Sequence, residues 1–242
     1  MATPVTPLPK LATPLAPLLP RLELEPAAAA AVAGAQTAAQ GVEQLEAKGF
    51  LNDAARLTAH ALPKREAVWW ACMCANAVPA PALSALDAAA RAAAEAWVRK
   101  PADESLRRAA WDAAQKTDFR SPEAWAAVGA FWSGGSMAPE GQPVVPPAEH
   151  LTGVAISGAV VMAAVRGQPE RAQARLKRFL AGAKDIASGG AGRIPLEEDL
   201  DARAPCRSPD RYACMPDGDS GPAAHSACRW PHHHGCAHGA HR

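Results

Sequence analysis

The sequence has a single tyrosine and four phenylalanines among its 242 residues, and its β-branched residues are few and scattered. Sheets favour these residue types, so their scarcity argues against a β fold. No sign of charge dominates either: 25 lysines and arginines stand against 24 aspartates and glutamates, a net charge of +1. A general affinity for nucleic acid needs a basic face, and the balance implies none. Long hydrophobic runs are missing. The longest apolar helix candidate, residues 151–165, is short for a bilayer span and rich in glycine, alanine and serine. Prolines every two or three residues through Pro20 leave no unbroken apolar stretch for a secretory signal. The expectation is a soluble cytoplasmic protein with no membrane or nucleic-acid partner.

What the sequence does have is alanine and tryptophan. Nearly half of the residues are apolar, but much of that share is alanine, which buries little area. The seven tryptophans therefore carry an outsized part of any core. Alanine-rich composition favours helix, and the punctuation agrees. Pro26 suits the first turn of a helix predicted to run to about Lys48, with Gly49 as its stop. Pro63 opens an apolar helix containing Trp69 and Trp70. Asp103 caps another, and Ser121-Pro122-Glu123 is the clearest helix start in the chain. Two further helices follow the glycine- and proline-rich loop 133–147, the last ending before Gly189-Gly190.

This pattern predicts an all-α fold: a compact helical domain of seven or eight short helices over residues 24–190. A proline-rich disordered arm (residues 1–23) precedes it. A disordered tail rich in cysteine, histidine and arginine (residues 191–242) follows it.

The tail offers nitrogen and sulfur donors of the kind zinc prefers, namely Cys228, His232, His233, His234, Cys236 and His238. Their spacing lacks the close cysteine pairs of structural zinc sites, so loose binding at most is expected there. Cys72 and Cys74 point to opposite sides of a helix and read as small buried hydrophobes. Inside the helical domain the only histidines are His60 and His150. His60 lies near a helix end, where a cation would complement the dipole. Glu66, Glu95, Asp112 and Glu123 read as ordinary acids at helix starts and on solvated faces. No catalytic or cofactor-binding residue stands out.

Adjacent tryptophans lie about 100° apart on a helix, so Trp69 and Trp70 cannot both face one neighbour, and an exposed one would anchor an interface. With the long loop, whose length alone marks it as functional or irregular, this gives Trp70, Ser136, Met137 and His150 as candidate partner-binding residues.

The run from Leu57 to Cys72, followed by Ser121-Pro-Glu-Ala-Trp125 and the glycine- and proline-rich loop, resembles a family of uncharacterised, all-helical bacterial proteins associated with type VI secretion gene clusters. The resemblance covers about residues 45–187. It implies an accessory or adaptor of secretion and carries over no catalytic residue. The first expectation is thus a non-enzymatic cytoplasmic helical adaptor that binds another protein. The alternatives are metal binding through the tail, and an enzyme with a site near His150 and the 133–147 loop.

Overall fold

Ten α-helices and no strand make up the described residues of a computed structural model, which are 8–197 except 79, 81 and 82. In chain order they are α1 (Leu19–Leu22), α2 (Pro26–Ala31), α3 (Ala38–Ala47), α4 (Leu51–Ala61), α5 (Lys64–Ala77), α6 (Ala85–Arg99), α7 (Glu104–Gln115), α8 (Pro122–Phe131), α9 (Leu151–Val165) and α10 (Ala172–Ala187). The capping residues read from the sequence are in place. Asp103 accepts from the Ser105 and Leu106 amides, and Ser121 accepts from Ala124 with Pro122 at the first position. Each satisfies a donor that the first turn of a helix leaves free.

Three helices form the centre. α5, α8 and α9 pack on one another, α6 and α7 flank α8, and α4 and α10 close the other side of α9. In α8 every residue except Trp125 is buried. Alanine and glycine make this possible by letting helix axes approach closely. At Gly129, an added Cβ would meet the Ile156 side chain of α9.

The segment expected to be a disordered arm is ordered from residue 8. Pro9–Leu11 form a 3-10 turn and Leu19–Leu22 a short helix. Leu11, Leu15, Leu18 and Leu22 are all buried in the main core. Proline excludes long helices but not short turns, and the leucines spaced between the prolines supply an apolar face. Lys10 adds a 3.0 Å ion pair to Glu66 of α5.

The helix expected over residues 26–48 is two. Thr37 and Gln40 form a capping box that starts α3 afresh, and the Ala38 amide donates across to the Thr13 carbonyl at 2.9 Å.

The domain also runs past Gly190. Ile194 packs on the core, and the Glu197 amide donates to the Ala77 carbonyl at 2.8 Å. The Glu197 carboxylate receives Arg175 Nε at 2.7 Å and also pairs with Arg171 and Arg178. Arg175 in turn donates to the Ala164 and Arg166 carbonyls at 2.9 and 2.6 Å. It thereby satisfies the end of α9 where the chain bends by 115° into the α10 stretch. No single helix among the described residues is long and apolar enough to cross a membrane.

Candidate functional site

The 133–147 loop is held by a buried arginine. Arg107 of α7 is 3% exposed, and every nitrogen of its guanidinium has a partner. Nε and Nη2 donate to the Glu104 carboxylate at 2.6 and 2.7 Å, Nη2 also donates to the Ser136 carbonyl at 2.7 Å, and Nη1 donates to the Phe131 carbonyl. The guanidinium lies 4.4 Å from the centre of the Phe131 ring. Gly135 sits against it with φ of 65°, and a Cβ there would come within 2.8 Å of Arg107 Nε. Only glycine fits both the backbone and the space. Hydrogen bonds from Arg107 hold the Glu104 carboxyl below the usual carboxylate range, with help from the charges of Arg107 and Arg108. Arg108 Nη1 reaches the Ala138 carbonyl at 3.1 Å, and Lys64 Nζ reaches the Ser133 carbonyl at 2.9 Å.

Within the loop, the Met137 amide donates to the Val145 carbonyl at 2.8 Å. The Ser136 hydroxyl accepts from the Ala138 and Val145 amides, each at 3.1 Å. Ser136 and Met137 are therefore the hinge that folds the loop back on itself, and both are half-buried. What faces outward is the return limb. Val144 and Val145 are 75% and 47% exposed, between Pro143 and Pro146-Pro147.

His150 lies elsewhere, at the N-cap of α9 and exposed. Beside it is a cleft of 550 Å³ lined by Arg21, Glu23, Arg56, His60, His150 and Ser157, among others. The enzyme alternative placed a site near His150 and the 133–147 loop; the cleft is at His150, and its lining includes no residue of that loop. His60 comes from α4 and lies over Gly153 of α9, where any Cβ would overlap its imidazole. Burial pushes the His60 pKa down to about 4, with the charges of Arg21, His150 and Arg56 acting in the same direction. The expectation of a cationic His60 complementing a helix end is thus reversed, because desolvation and three positive neighbours outweigh the dipole. Arg56 Nη1 donates to the Leu22 carbonyl at 2.5 Å.

Trp70 is not a surface anchor. It is 0% exposed, and its indole Nε1 donates to the Phe179 carbonyl of α10 at 2.8 Å. α5 is covered on several sides, so the polar tip of Trp70 needs a buried acceptor and finds one. Trp69 is the tryptophan at the edge. It is half-buried, its Nε1 donates to the Ala191 carbonyl at 2.8 Å, and it lines a shallow groove with Lys10, Arg65 and Arg99.

Cys72 and Cys74 are buried free thiols, and burial raises both of their pKa values. No group of three or more metal-ligating side chains is found among the described residues. Cys228, His232, His233, His234, Cys236 and His238, with Cys206 and Cys214, lie outside the described residues.

The reading of Glu123 as an ordinary acid at a helix start or on a solvated face is overturned. Glu123 is fully buried, paired with Arg166 Nη2 at 2.5 Å through Oε2, while its Oε1 has no hydrogen-bond partner. Its position directly after an N-cap serine and a proline is the usual place for an exposed acid, although the rest of α8, Ala124 to Phe131, is apolar all round, the pattern of a buried helix.

These features define an all-helical frame that carries a pinned, outward-facing loop on one part of its surface and a basic cleft on another. The chain belongs to the Family of unknown function (DUF6931), which matches residues 41–187, from α3 through the end of α10. The loop, Arg107, His60 and His150 fall inside the match, and Arg21 and Glu23 precede it. No curated protein and no solved structure matches the chain.

Proposed function

We propose that this protein is a non-enzymatic helical adaptor that binds another protein through the return limb of the 133–147 loop. The observation that carries this reading is the exposure of Val144 and Val145, flanked by prolines, on a limb whose base is fixed by a buried arginine. Proline at 143, 146 and 147 restricts the limb to extended conformations. Pro143-Val144-Val145-Pro146 has the spacing by which extended proline segments dock in aromatic-lined grooves. Presenting such a segment already ordered lowers the entropy lost on binding. The partner is accordingly a protein with a shallow apolar groove.

The test is a photo-crosslinking residue placed at position 144, compared with one at Val165, which is also exposed. A defined adduct should form from 144 and be lost when Arg107→Met frees the loop. Identical adducts from 144 and 165, or adducts indifferent to Arg107→Met, would refute the reading. The proposal extends to a cytoplasmic accessory of bacterial type VI secretion, a reading whose support is the resemblance of the run from Leu57 to Cys72. A gene neighbourhood without secretion components would remove that part of the reading and leave the loop's role intact.

A further inference from the structure

We propose that the cleft between residues 20–23, α4 and α9 binds a small phosphate-bearing ligand. Three elements that are far apart in sequence bring two arginines and a histidine to one space. Arg21 comes from α1, Arg56 from α4, and His150 from the start of α9. On α4, Arg56 and His60 are four residues apart, and on α9, His150, Val154 and Ser157 follow helical spacing, so each helix turns one face to the cleft. The volume of 550 Å³ falls in the range of small-molecule sites. α9 is fifteen residues long and begins there with no side-chain cap bond, so its positive end adds to the field of the arginines.

Three carboxylates, Glu149, Asp53 and Glu23, lie near the two arginines, and the pairs that two of them make are long. Glu149, beside His150, meets Arg21 at 3.4 Å and is largely exposed. Asp53 on α4 meets Arg56 only at 3.9 Å. Glu23, on the wall from the N-terminal side, holds a left-handed backbone with φ of 45°. Long, solvated ion pairs are weak and exchange readily for a better anion. Guanidinium groups match the geometry of phosphate oxygens, which makes phosphate the preferred anion over a monocarboxylate. His60 completes the site. It is uncharged at neutral pH, so it needs no counter-ion of its own and can donate a ring N–H to a phosphate oxygen. A bound anion beside the ring favours its charged form and so raises its pKa from the depressed value.

The probe is inorganic phosphate, titrated into the full chain while the histidine ring resonances are followed by NMR, with His60 assigned through His60→Gln. Acetate and chloride at matched ionic strength are the other arms. Phosphate should displace the His60 and His150 resonances saturably and raise the His60 pKa by at least about one unit. Arg56→Gln should weaken the phosphate affinity about tenfold. Arg56 also holds the Leu22 carbonyl, so Arg21→Gln, whose pairing is to an exposed carboxylate, provides a second variant with less demand on folding. It too should weaken binding severalfold. Displacement that stays linear with concentration, that chloride or acetate reproduces, or that neither arginine variant changes would overturn the proposal.

Discussion

Arg107 gathers into one guanidinium the contacts that fix the candidate docking loop, and its energetics follow from its burial. Arg107→Met leaves the Phe131 and Ser136 carbonyls without their donor, at a cost of about 2–4 kcal/mol, measurable by urea denaturation. Amide exchange should quicken across residues 133–147 while α5 and α8 stay protected. Because Glu104 ionises more readily in the folded chain than in the unfolded one, its contribution is complete above its unfolded pKa and fades as the pH falls through the folded value. The stability gap between the native chain and Glu104→Gln should close in acid. His60 acts with a related sign for a different reason. Its folded pKa, about 4, lies below the ordinary histidine value of 6.5, so between those values the unfolded chain binds the proton that the folded chain refuses. Stability should rise with pH across that window and level off above it, and His60→Gln should flatten the slope in a pH series of thermal melts. The two tryptophans separate as cleanly. Trp70→Ala should cost about 3–5 kcal/mol, within the range for a buried aromatic, and Trp69→Ala much less, since Trp69 is only half-buried.

At the scale of helices, the central contact depends on a charge. Glu123 on α8 and Arg166 at the end of α9 pair inside the bundle, and Arg166 Nη1 also donates to the Ala75 carbonyl of α5 at 3.2 Å. Glu123→Gln should destabilise by about 3–5 kcal/mol, because the arginine loses its counter-charge. Combining it with Arg166→Met should recover part of that loss, and a double-mutant cycle in urea measures the coupling. The sequence announced most helix starts, because caps such as Ser121 and Asp103 are local devices with local signatures. It did not announce which helix lies innermost. In α8 the uncharged run from Ala124 to Phe131 hints at burial, but Glu123 at its head looks like an ordinary solvated acid until four other helices surround it. The site was half legible for the same reason. Loop length is visible in the chain, but it pointed to Ser136 and Met137, which are half-buried, rather than to the exposed Val144-Val145 limb, and Arg107, some thirty residues earlier, looks like one surface charge among many. The pairing of Arg56 and His60 with His150 exists only once α4 meets α9.

Across the whole molecule, the boundaries moved outward at both ends, to include residues 8–23 and 191–197. A chain ending at residue 190 lacks Glu197 and leaves Arg175, 4% exposed, without its carboxylate. It should melt at a lower temperature than a chain ending at 197, by the equivalent of about 2–4 kcal/mol, as calorimetry would show. The N-terminal boundary has a consequence for synthesis. The turn at Pro9–Leu11 packs on α4 and on α10, so the first described residues take their final contacts from the last helix. A ribosome adding about 5–20 residues per second needs roughly ten to thirty-five seconds to travel from one to the other. Throughout that interval Leu11, Leu15, Leu18 and Leu22 have only part of their shelter. The nascent chain therefore offers a leucine-rich segment to chaperones early, and the emergence of α10 is the event that withdraws it.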